Sequence, residues 1–187
     1  MVRERGMDGC KEPAEIVVRA AVAADFEQIT AIYRASVETT AASFELVAPD
    51  ADEMRRRWRR VLDARLPYLV AERAGVVAGF AYARPFHERA AFAWTVENSV
   101  YIAAECARQG VGRMLLASLI EATTAAGFRQ MIALVSSDAA AASVPLHIGL
   151  GFREVGRLDA VGYKHGRWHD IIHLQRALGA GGAIAPS

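Results

Sequence analysis

The residues with the clearest chemical meaning lie between Ser99 and Leu116. β-branched and aromatic residues, Val100, Tyr101 and Ile102, lead into a turn carrying Gly110 and Gly112, and the apolar pattern of a helix follows. A strand that breaks at glycines and opens a helix aims backbone N–H groups and the positive end of the helix dipole at one point, which suits an anion. Glycine lets a phosphate approach without a Cβ in the way, and Arg108 and Arg113 flank the turn with charge. Pyrophosphate is the guest this chemistry indicates. A Gly-x-Gly pair alone also serves turn geometry. The segment has neither the Gly-x-x-x-x-Gly-Lys run of a nucleoside triphosphatase nor a third glycine at the dinucleotide spacing.

Other titratable residues read more plainly. His165, His169 and His173 recur every four residues, a spacing that on a helix aligns zinc ligands. Gly166 and the β-rich surroundings argue for strands instead, so no metal is expected. Taken alone, Glu97 reads as a strand residue in an ion pair and His147 as a hydrogen-bonded packing residue beside an apolar helix. Cys10 and Cys106 form no Cys-x-x-Cys motif and are expected as unpaired thiols in a reducing compartment.

These residues need a scaffold, and hydrophobic periodicity outlines one. Ile16 to Arg19 reads as a strand. Asp25 with Gln28 three residues later resembles a capping box, opening a helix whose inner face carries Phe26, Ile29, Ile32, Tyr33 and Val37. A second helix opens at Pro49 and Asp50, with Met54, Trp58, Val61 and Leu62 inward and an arginine-rich solvated face. Residues 68–72 and 76–82 form a hairpin around Gly75, and Phe92 to Ile102 is another extended run. The helix after Gly112 carries Met114, Leu115, Leu119 and Ile120 and ends near Gly127. A short strand spans 131–135, a helix runs from Ala139 to Leu150 with Pro145 inside it, and strands around 153–161 and 168–176 close the fold. Strands before, between and after helices give a mixed α/β architecture.

The chain has 187 residues, 53% hydrophobic and 23% charged, with 22 Lys and Arg against 21 Asp and Glu. One domain over 15–178 is expected, between a flexible leader over 1–14 and a flexible tail over 179–187. A net charge of +1 offers no bulk attraction to nucleic acid or an anionic membrane. No run is long and apolar enough to span a bilayer, and the N-terminal residues lack the apolar core of a secretory signal, so a cytoplasmic protein is expected.

The strand, glycine turn and helix closely resemble motif A of the GNAT N-acetyltransferase superfamily. Ser143 to Phe152 is similar to that superfamily's helix-to-strand ending. Residues 40–45, 82–86, 94–101 and 161–170 narrow the resemblance to the phosphinothricin acetyltransferase-like branch, in order along the chain. The resemblance implies a mixed, centrally splayed β-sheet with helices on both faces and strands around 97–102 and 131–135 diverging. It implies acetyl-CoA as co-substrate, held by Val100, Tyr101, Ile102, Arg108, Gln109, Gly110, Val111, Gly112, Arg113 and Ser143. It places Glu97 at the proposed catalytic carboxylate, the amide of Val100 or a neighbour at the acyl oxygen, and His147 where relatives carry the proton donor to the thiolate. The implied substrate is the primary amine of a small amino-acid-like molecule, phosphinothricin or methionine sulfoximine or sulfone. Arg84, Arg89 and Lys164 are candidate partners for its acidic groups, with Phe44 and Tyr82 as walls. Relatives commonly form homodimers. Ala107 and Ala140 stand where the family usually has polar residues, a loss of contacts that implies weaker cofactor binding or an altered pose. Other amines, such as a polyamine or a protein N-terminus, and a non-catalytic CoA-binding protein remain open at this point.

Overall fold

The computed structural model describes residues 15–185. The expected leader and Cys10 lie outside them. Seven strands form one sheet: β1 (Ile16–Ala20), β2 (Tyr68–Arg73), β3 (Val76–Pro85), β4 (Thr95–Ile102), β5 (Gln130–Ser136), β6 (Arg153–Lys164) and β7 (Arg167–Ala177), in spatial order β1-β2-β3-β4-β5-β7-β6. The turn joining β2 and β3 puts Ala74 and Gly75 at φ 50° and 81°, the left-handed pair a tight hairpin needs.

β4 is the pivot. It pairs antiparallel with β3 from Pro85–Val96 to Gly79–Ile102. Its parallel pairing with β5 covers only Thr95–Gln130, Val96–Met131 and Glu97–Ile132. Past those residues β5 pairs only with β7, up to Ser136–Ile171, so the sheet splays where the sequence places its divergence. Bonds from Ala103 N–H to Ala78 O (3.0 Å) and from Phe86 N–H to Thr95 O (3.1 Å) set which β4 residues exchange hydrogen bonds with β3. By the antiparallel alternation, the N–H groups of Val100 and Ile102 face away from β3, toward the splay.

Strand alternation assigns the two faces of the sheet. Phe80 and Tyr101 meet Tyr33 of α1 (Phe26–Thr39) edge to face, and Tyr68 meets Phe26, which packs on Trp58 of α2 (Ala51–Asp63). Gly79 turns to the opposite face, where a Cβ would meet Leu115 of α3 (Val111–Ala125) at 3.2 Å. On that side Leu146 of α4 (Ala140–Ile148) lies 3.3 Å from the position of a Cβ on Gly112. Phe26, Ile29, Phe80, Leu115, Leu116, Leu119, Met131 and Leu174 are fully buried between these layers. No helix among the described residues is long and apolar enough to cross a membrane.

Several local expectations need correction. Phe92 closes a short 3-10 turn (Ala90–Phe92), and β4 starts only at Thr95. Leu62, assigned inward by spacing, is exposed, as is Met114, while Val111 and Leu116 are buried. Asp50 caps α2 through the Glu53 N–H at 2.8 Å, as read. Asp25 and Gln28 form no capping box. Asp25 reaches back to the Val22 N–H (2.8 Å) and takes Arg19 Nη1 and Nη2 (2.8 Å each), whereas Gln28 Oε1 accepts the Val77 N–H (2.9 Å). A strand arginine outbids the helix because it offers two charge-assisted bonds to a buried carboxylate.

That pair makes stability acid-sensitive. Bonding to Arg19 holds the Asp25 carboxyl below its usual range, so its stabilisation is complete above the unfolded-state value and is lost as pH falls through the folded one. Asp25→Asn should lower unfolding free energy by about 1–2 kcal/mol at neutral pH, because Arg19 keeps Glu72, and by less in acid. Urea melts at several pH values check this, and a pH-independent deficit would contradict it.

Candidate active site

A cavity of about 750 Å³ opens at the splay. Two sets of side chains line it, one from each face of β4. Glu97, Ser99 and Tyr101 share a face with Tyr82 and Arg84 of β3 and with Tyr33, while Asn98 and Val100 share the other with Ser143 and His147 of α4. Arg57 and Arg60 of α2 and the loop 40–45 complete the wall on the first face.

On that first face the charges are paired. Arg84 Nη2 donates to Glu97 Oε1 at 2.7 Å, with Glu97 largely buried. Arg57 Nη1 donates to Glu45 Oε1 at 2.5 Å, and the Tyr33 hydroxyl donates to the same oxygen at 2.9 Å. Burial pushes the Tyr33 phenol up to about 12 and raises Tyr82 and Tyr101, so all three stay protonated at neutral pH. The carboxylates Glu45, Glu53 and Glu97 are therefore the lining groups that can take a proton from an ammonium here.

On the second face His147 is 3% exposed. Its Nδ1 lies 2.8 Å from the Ser143 carbonyl, which only accepts, so Nδ1 carries the proton and Nε2 accepts from Asn98 Nδ2 at 3.0 Å. Burial pushes the imidazole pKa down and favours this neutral form. In that state Nε2 has no proton to give.

The glycine turn sits at the head of α3, outside the cavity. Arg108 and Gly110 both adopt left-handed backbone, φ 62° and 83°. A Cβ on Gly110 would meet nothing of the protein within 4 Å, leaving the approach to the helix N-terminus clear. Gly112 has another reason for its small size, its contact with Leu146. Gln109 is tied down, taking Arg73 Nη1 at 2.7 Å and donating to Glu105 O at 2.8 Å, and Arg113 donates to Gly149 O at 3.3 Å. This exposed, cation-flanked cradle fits a diphosphate, and it follows β4 in the chain after the 3-10 turn Ala104–Cys106.

The cavity thus unites Phe44, Tyr82, Arg84, Glu97, Val100, Tyr101, Ser143 and His147 of the residues singled out in the sequence. Ile102 and residues 108–113 lead up to it. Arg89 caps the 3-10 turn Ala90–Phe92 from outside the lining, and Lys164 is 3% exposed with Nζ on the Ser43 carbonyl at 2.6 Å. Sequence reading missed Tyr33, Glu45, Arg57 and Asn98. Arg57 lay inside an arginine run in which Arg55 and Arg56 pair on the helix surface with Glu27, Asp52 and Glu53; nothing local distinguished it. Of the three spaced histidines, His169 and His173 lie on β7 and His165 in the turn before it, with His165 on Thr40 O and His169 on Lys164 O.

Residues 18–173 match the family described as acetyltransferase (GNAT) domain. A phosphinothricin N-acetyltransferase of Alcaligenes faecalis is 49% identical over 162 residues, covering 87% of this chain and 82% of that one. An L-methionine sulfoximine/L-methionine sulfone acetyltransferase of Salmonella typhimurium is 37% identical, covering 87% and 95%. Among solved structures, a phosphinothricin acetyltransferase of Sinorhizobium meliloti in complex with acetyl-CoA superposes with a TM-score of 0.89 at 42% identity, covering 92% and 93%.

The open space at Gly110 gives a test of the cradle. Gly110→Val forces a β-branched residue to positive φ and puts a side chain where a phosphate would approach, so acetyl-CoA should bind about tenfold more weakly. Gly112→Val should instead lower the melting temperature. Calorimetric titration and thermal melts of both variants separate the two effects, and unchanged acetyl-CoA affinity in folded Gly110→Val would move the diphosphate elsewhere.

Proposed function

The chain belongs to the GNAT acetyltransferase family, and from that premise we propose that it acetylates the primary amine of a small zwitterionic amino acid of the phosphinothricin or methionine sulfoximine and sulfone type. It is an N-acetyltransferase with acetyl-CoA as co-substrate. The observation that carries the substrate reading is the charged half of the cavity, on the face of β4 away from α4, where Arg57, Arg60 and Arg84 stand among Glu45, Glu53 and Glu97. A molecule bearing both an ammonium and acid groups can exchange partners with such pairs without leaving a buried charge uncompensated.

The roles follow from position. The residues at the α3 N-terminus hold the diphosphate, and the co-substrate supplies the activated acetyl thioester at the splay. The Val100 N–H, facing the gap, donates to the acyl oxygen as negative charge builds there. Glu97 takes the ammonium proton, directly or through water, and Arg84 beside it keeps the carboxylate in place. Phe44 and Tyr82 wall the substrate. His147 is the side-chain candidate for protonating the thiolate, but its Nε2 must first gain a proton that burial disfavours, and a thiol of pKa about 8.5 leaves tolerably well to solvent. The homodimer expected from the sequence finds support in β6, exposed along most of its length, where Val155, Leu158, Val161 and Tyr163 stand out beside Trp168 of β7.

Incubation with acetyl-CoA and a panel of amino acids, their sulfoximine and phosphinate analogues, polyamines and peptides, followed by thiol release, tests the reading. Turnover confined to polyamines or peptides would replace the substrate class. Glu97→Gln should reduce turnover by about a hundredfold at neutral pH and by less as rising pH supplies free amine. His147→Ala should cost less. Rate–pH profiles of both variants decide, and near-normal turnover of folded Glu97→Gln across the range would remove Glu97 from the mechanism.

A further inference from the structure

The loop 40–45 carries Ala42, Ser43, Phe44 and Glu45 into the cavity, yet it has no strand or helix of its own. It is held across the splay. From the β1–β4 side, Tyr33 and Arg57 grip Glu45. From the β5–β7 side, Lys164 Nζ donates to Ser43 O (2.6 Å) and Asp138 Oδ2 accepts the Ala41 N–H (3.0 Å). Gly162 of β6 makes room for Phe44: a Cβ there would sit 2.2 Å from the ring carbon Cε1.

We infer that Lys164 and Gly162 are positioning residues for amine recognition, acting through the loop 40–45, and that the Lys164 ammonium does not touch the substrate. The inference rests on the amine-acetylating reading above. Its physical basis is the placement of Lys164, which is buried and points its Nζ at a backbone carbonyl, outside the cavity lining. A buried ammonium needs an acceptor, and here the acceptor is the main chain between two lining side chains. Removing the ammonium strands the Ser43 carbonyl and loosens the loop, which keeps its ties to Asp138, Tyr33 and Arg57. Adding a methyl at Gly162 displaces Phe44 with Lys164 intact. Both routes disturb one wall.

Lys164→Met and Gly162→Ala should each raise the amine KM by about tenfold, the scale of one lost charge-assisted bond, with kcat and acetyl-CoA affinity little changed. Their combination should fall short of the product of the single effects, because both act on one loop. Methionine sulfone and its carboxamide distinguish positioning from contact. Positioning predicts equal losses for the two amines, whereas a loss confined to the carboxylate form overturns the inference in favour of direct contact. Limited chymotrypsin digestion reads the loop without any turnover: cleavage after Phe44 should quicken in both variants. Unchanged cleavage and unchanged amine KM in folded Gly162→Ala overturn the inference even if Lys164→Met fails to fold. An inactive wild-type protein whose variants still cleave faster would fault the amine reading and leave the clamp standing.

Discussion

Everything at the site depends on β4 parting from β5 after Glu97 and Ile132. A parallel ladder that continued would bond the N–H groups of Val100 and Ile102 to the neighbouring strand and fill the gap with main chain. Because it stops, unpartnered donors and a cavity occur at one place. The cost of leaving such donors without a protein partner is what a ligand can relieve on binding. The parting is kept from collapsing by packing on both faces: Tyr33, Phe80 and Tyr101 under α1, and Leu115 and Leu146 beside Gly79 and Gly112 on the other.

The two faces of β4 divide the labour. The glycine turn and α4 lie on the side proposed for a diphosphate and its acyl arm, and the paired arginines and carboxylates lie on the side proposed for an amine. Alternation along one strand therefore sets Glu97 and Asn98 on opposite sides of the reacting centre while keeping them adjacent in the chain. On the carboxylate side, the ion pairs Arg84–Glu97 and Arg57–Glu45 hold the side chains in fixed orientation without any ligand, so little reorganisation would remain for a bound state.

The strand, glycine turn and helix from Ser99 to Leu116 were legible because they rest on local rules: β-branched residues, left-handed glycine and helical spacing. The family resemblance added Glu97, Val100 and His147, whose places in the cavity no local rule supplies. What stayed hidden depends on contacts far apart in sequence. Lys164 meets Ser43 across 121 positions, and Asp138 meets Ala41 across 97, contacts that neither charge nor local spacing reveals. Asp25 looked like a helix cap because its competitor, Arg19, lies on a strand. Leu62 and Met114 fit the apolar period of their helices but fall at the edge of the buried stripe, where spacing cannot tell inside from outside.

The splay and its free donor can be read amide by amide. In hydrogen exchange followed by NMR, the Tyr101 amide, bonded within the β3–β4 ladder, should be protected with or without ligand. The Val100 amide should exchange readily in the free protein and slow by at least about tenfold with saturating acetyl-CoA. A Val100 amide already protected in the free protein, or one indifferent to acetyl-CoA, would contradict the account, because the donor at the splay would then have its partner within the fold.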